Sequence, residues 1–166
     1  MKLLWAGART ATGDDAIGLK TGWHVKPAHL YALGYSFMAS STLLGACRRV
    51  ERYFSVLSTA TVTLSLYEVD EGYALSSAFP DESTMPPREG IDCGITALLA
   101  LCEAVAERPV RPIRVELTSS ADVQPEAYRS ALSAPIKFSS EVGTLVFDRA
   151  TLETPLPHGT PDIAKA

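Results

Sequence analysis

From Thr59 to Leu66 the chain alternates with a period of two. Ala60, Val62, Leu64 and Leu66 are apolar, and Thr59, Thr61, Thr63 and Ser65 between them are short and polar. Successive side chains of a strand point to opposite faces, so this run predicts a strand with one face in the core. Asp70-Glu71-Gly72 supplies a hairpin turn, and Tyr73 to Phe79 returns as the antiparallel partner. A helical period precedes the hairpin. Leu43, Cys47, Val50, Phe54 and Leu57 are spaced 4, 3, 4 and 3 apart, the apolar stripe of a helix over about 42–57 with Ser41 as its N-cap. The longest apolar pattern predicts a helix from Arg88 to Glu107 that carries Ile91, Ile95, Leu98, Leu99, Cys102 and Val105 inward. It is apolar around much of its circumference, as a central buried helix would be.

The remaining segments are shorter. Residues 1–12 read as the last turns of a helix ended by Gly13, the remainder of something longer, and a short segment follows from Ala16 to Thr21. Pro27 opens a helix that runs to Met38, its missing N–H being no loss in a first turn. Ile113, Val115 and Leu117 alternate with Arg114 and Glu116 as a third strand. A helix starting at Asp122 or Gln124 with Pro125 reaches Leu132, and Ile136 with Phe138 makes a brief strand. Glu141-Val142-Gly143 turns into a last strand from Thr144 to Phe147. The fold class is α+β: an antiparallel or mixed sheet of about five strands backed by helices. Residues 1–153 form one domain, and the Pro-rich tail 154–166 reads as the start of a linker.

Composition narrows the partners. The 166 residues suit one domain, and 15 basic against 19 acidic residues leave a formal charge of -4, which argues against a duplex-binding face. The densest basic cluster, Arg48, Arg49 and Arg52, falls off the apolar stripe and reads as a solvated helix face. No apolar run approaches the ~18 residues of a membrane span, and the first residues lack a signal-peptide core, so the reading is cytoplasmic. Three cysteines, Cys47, Cys93 and Cys102, are an odd number without metal-ligand spacing and read as reduced thiols.

Catalytic chemistry finds no footing. The chain has no Gly-rich phosphate loop, G-x-S-x-G elbow, H-E-x-x-H or C-x-x-C. His24 and His29 are separated by Pro27 and share no helix face, and the acidic pairs lie in turns. No catalytic residue, metal site or cofactor is expected. The aromatics suggest a pocket instead, because tyrosine joins an apolar body to a polar tip. The expected lining is Tyr35, Tyr53, Phe54 and Tyr73, with Glu103 or Glu116 as polar anchor. A buried carboxylate without a basic neighbour would favour a cationic ligand such as an amine. The alternative is that the tyrosines fill the core and both carboxylates face solvent.

Several short patterns occur in a characteristic order. They are Thr12-Gly13-Asp14 through Ile17-Gly18-Leu19, Leu33-Gly34-Tyr35, Met38-Ala39-Ser40-Ser41-Thr42-Leu43 and Arg52-Tyr53. Pro109-Val110-Arg111-Pro112, Pro135-Ile136-Lys137-Phe138 and Thr144-Leu145-Val146-Phe147 follow, then Leu152 and Pro155-Leu156-Pro157. Over residues 10–160 this resembles the N-terminal effector-binding, arabinose-binding-like domain of bacterial AraC-type transcription regulators. The resemblance implies a cytoplasmic activator that senses a small organic effector. It would touch DNA only through a C-terminal pair of helix-turn-helix units absent from this chain. No ligand residue carries over, because the family's contacts are not fixed by a motif. A homodimer is compatible with it, and a ligand-free dimerisation domain is the alternative function. A small hydrolase or isomerase is disfavoured by the lack of an activated nucleophile.

Overall fold

Seven helices and five strands are present in the computed structural model, which describes residues 2–57, 62–79, 83, 85–119 and 125–159. Thr59, Ala60 and Thr61 of the alternating run, Pro80 to Glu82, Asp122, Gln124 and the tail beyond Gly159 lie outside the described residues. The alternation produces β1 (Thr63–Val69), which pairs antiparallel with β2 (Gly72–Ala78) through a turn at Asp70-Glu71. Gly72 sits at φ +148, and a Cβ there would come within 2.2 Å of the Phe147 carbonyl oxygen, so only glycine closes this hairpin against its neighbour. That neighbour is β5 (Gly143–Asp148), followed by β3 (Arg114–Glu116) and β4 (Ile136–Lys137). The sheet order is β1-β2-β5-β3-β4. It is mixed, because β3 and β4 run parallel while the other pairs are antiparallel.

Register decides which side chains meet the helices. Leu66, Leu75 and Leu145 lie abreast across β1, β2 and β5, and Leu145 pairs with Val115 of β3. This row, with Tyr73 and Phe147, faces α4 (Leu43–Leu57) and α5 (Arg88–Ala106), which contribute Cys47, Val50, Ile95, Leu99, Cys102 and Val105 to the same core. The Cys102 thiol donates to Cys47, which together with burial pushes its pKa well up, so the pair behaves as core filler. Glu51 of α4 reaches outward over the sheet edge and accepts from the Leu66 N–H of β1 at 2.8 Å.

Some boundaries differ from the sequence expectation for local reasons. The N-cap of α4 is Thr42, whose hydroxyl accepts from the Gly45 N–H at 3.1 Å, and not Ser41. The helix expected from Pro27 to Met38 is broken into a 3-10 turn, Pro27–Leu30, and α3 (Tyr31–Met38), with Tyr31 at φ +49 between them. Gly34 packs on the Pro27 carbonyl, where a Cβ would stand 1.7 Å from the oxygen. A short α7 (Arg149–Glu153) follows β5, capped by Asp148, which accepts from the Thr151 N–H at 2.7 Å. Beyond it Pro155 bridges to Thr42 and Leu156 is buried, so the packed domain extends past Thr154.

The helices α1 (Lys2–Thr12), α2 (Ile17–Gly22) and α6 (Pro125–Leu132) complete the fold. Gly18 and Gly22 let α2 lie directly on the α5 backbone: a Cβ at Gly18 would be 2.2 Å from the Glu89 carbonyl oxygen, and one at Gly22 2.0 Å from Thr96 Oγ1. Among the described residues no helix is long and apolar enough to cross a membrane.

Candidate functional site

The face of α5 turned away from α2 borders a cavity of about 310 Å3. Gly90, Ile91, Gly94, Ile95, Ala97, Leu98 and Leu101 recur at helical spacing and form this wall. Leu64 of β1 and Ser77 of β2, paired across the hairpin, form the sheet wall, with Val62 and Phe79 beyond them. Val50 and Phe54 of α4 supply the third side, and Val25, Leu30 and Pro86 close the ends. Ile91 and Leu98, expected to pack fully inward, are therefore half-buried against this space. Ser77 carries the single polar side chain among the described lining residues.

The void has a sequence cause. A Cβ placed on Gly94 would meet nothing within 4 Å, and Gly94 is exposed. The stripe of α5 thus lacks a side chain at its centre, and the cavity opens there. Pockets for small organic ligands fall in the range ~300–1,000 Å3 and are lined mostly by apolar groups, so size and lining both suit such a ligand.

Of the six residues expected at the pocket, the structure brings one, Phe54, to the cavity. Tyr35 lies on α3 with 68% of its surface exposed. Tyr53, next to Phe54 in sequence, is half-exposed, with the Arg52 guanidinium 5.3 Å from its ring centre. Tyr73 is buried, but at the far end of the sheet, where its hydroxyl donates to Glu153 Oε1 at 2.5 Å and Arg149 lies over its ring. The bond to Glu153 raises its pKa above the ordinary phenol value. Glu103 accepts from the Val110 N–H at 3.1 Å and secures the connection after α5. Glu116 stands on the sheet face away from the helices, 3.0 Å from Arg114 Nε and 3.7 Å from Lys137 Nζ. The structure does not bring these six residues together, and of the two carboxylates one is engaged by backbone and the other by two cations.

A second polar group was not foreseen. On the α2-facing side of α5, Asp92 is 2% exposed, and its Oδ2 accepts from the Tyr128 hydroxyl at 2.8 Å. Its Oδ1 has no hydrogen-bond partner among the described residues. Arg88 Nε is 4.0 Å from Oδ2, and neighbouring Glu89 is paired with Arg9 at 3.0 Å. Burial pushes the Asp92 carboxyl up to about 6 against the opposing pull of Tyr128 and Arg88. Desolvation together with the adjacent carboxylate pushes Tyr128 up to about 12. The helical spacing Arg88, Asp92, Thr96 on α5 was the signal that this face is polar.

No curated protein matches the chain. Among solved structures, the crystal structure of the transcriptional regulator CdpR from Pseudomonas aeruginosa shares the fold with a TM-score of 0.65 at 14% sequence identity. The match covers 90% of this chain and 48% of that one, so the chain spans about half the length of this neighbour. Residues 1–156 match the family described as the arabinose-binding domain of AraC transcription regulators, N-terminal. With nearly its whole length inside that match, the chain belongs to the family of N-terminal arabinose-binding domains of AraC transcription regulators.

Proposed function

We propose that this chain is the effector-sensing domain of a bacterial AraC-type transcription activator, working in the cytoplasm. A small organic molecule enters the cavity between the sheet and α4 and α5. Its binding changes how the domain presents a C-terminal helix-turn-helix pair, through which alone the regulator holds DNA. The observation that supports this reading is the cavity itself, bounded by a central helix that also carries α2 on its opposite side through Gly18 and Gly22. A ligand that touches α5 more favourably in one arrangement than another shifts the balance between them, and only such a difference transmits a signal.

The test is a melting-temperature screen of the 166-residue chain against small organic compounds of varied polarity. A ligand of the folded state stabilises it by RT ln(1 + [L]/Kd), so a true effector raises the melting temperature with concentration. A screen in which nothing stabilises the chain, coupled with concentration-dependent self-association, would favour a ligand-free dimerisation domain.

A further inference from the structure

The lining of the cavity specifies more than its existence. No charged side chain stands among its described lining residues, and Ser77 offers one hydroxyl. A pentose, with oxygen on every carbon, would leave most of its hydroxyls in this space without partners, and each unpartnered hydroxyl opposes entry. Among the described lining residues an amine would meet no carboxylate, and Glu103 and Glu116 are engaged elsewhere. Volume sets the size: 310 Å3 is about twice the ~150 Å3 apolar cavity that accepts benzene, which corresponds to roughly ten to twelve non-hydrogen atoms.

Building on the effector-sensing reading, we infer that the effector is an uncharged, mostly apolar molecule of this size, a short aliphatic chain or fused ring with at most one hydroxyl or carbonyl, and that Gly94 sets its limit. The sugar in the family's description is not the ligand this cavity fits. Gly94 lies at the centre of the α5 wall, where its absent side chain is part of the ligand's volume. A leucine there enters open space and suits a helix better than glycine, so it fills the cavity without disturbing the packed side of α5.

The probes are 1-decanol and 2-naphthol against L-arabinose and putrescine, each at equal concentration, read by circular dichroism melting and native mass spectrometry. The first two raise the melting temperature of the parent chain, and the second two do not. Gly94→Leu weakens 1-decanol binding at least about tenfold and Gly94→Ala weakens it less, while both unliganded variants melt at or above the parent temperature. Binding of arabinose or putrescine that Gly94→Leu abolishes would overturn the apolar ligand class and leave effector sensing standing. Binding of 1-decanol that is indifferent to Gly94→Leu would remove the site. If no probe binds and Gly94→Leu instead turns a dimer into a monomer by sedimentation, the groove belongs to a second copy and both readings fall.

Discussion

A carboxylate on the buried side of a central helix is stable only in so far as each of its oxygens is answered. Asp92 has Tyr128 on one oxygen and no partner among the described residues on the other. Burial dominates, and its pKa stands at about 6 against an ordinary 3.8. Above that pH the folded state holds a charge that the unfolded chain holds more easily, a cost of roughly 3 kcal/mol when fully developed. As the pH falls from about 6 towards 4, protonation relieves it, so the stability owed to this group rises in acid. Asp92→Asn keeps an acceptor for Tyr128 and removes the charge. It is expected to stabilise the chain by about 1–3 kcal/mol near pH 7.5, with the advantage gone near pH 4. Urea unfolding of both proteins at the two pH values decides it. An asparagine variant less stable at neutral pH would mean that the Arg88 attraction outweighs desolvation.

The same substitution has opposite consequences on the two sides of α5. Gly22→Ala drives a methyl group into Thr96 Oγ1 and the Cys93 carbonyl, 2.0 and 2.4 Å from the ideal Cβ, so α2 must lift from its seat. The expected loss is about 2 kcal/mol or more. Gly94→Ala, facing open space, gains up to about 1 kcal/mol from helix propensity. Thermal melts of the pair should separate by several degrees in opposite directions from the parent. The hairpin, α4 and α5 were legible in the sequence because periods of two and of 3.6 report which residues turn inward. Periodicity does not report where side chains fail to fill space, so the cavity had to be seen. Tyr53 and Phe54 are adjacent in sequence yet a helix separates them by about 100°, and only Phe54 turns to the void. The alternation of β3 already set Glu116 opposite to Val115, on the solvent side. Tyr73 is buried away from the cavity, and its partner Glu153 belongs to α7, a helix of five residues whose main sequence trace is the Asp148 cap.

Charge governs what the whole molecule meets. With 19 acidic residues against 15 basic, the chain offers little counterion release on a duplex. In fluorescence anisotropy at about physiological salt its affinity for DNA is expected to be weaker than ~1 μM, and tighter binding would mean that the cluster of Arg48, Arg49 and Arg52 on α4 acts as a basic face. Shape governs the rest. The sheet ends at β1, a strand whose outer edge is the natural place for another chain to continue the ladder. Glu51 occupies the Leu66 N–H on that edge with a carboxylate. An incoming strand would have to evict a charge from its hydrogen bond before gaining one of its own. The helix that lines the cavity therefore also covers one rung of the exposed sheet edge. Altering α4 to retune ligand choice carries a second consequence, because a mutation that shifts Glu51 would return the Leu66 N–H to the open edge, where another strand could take it.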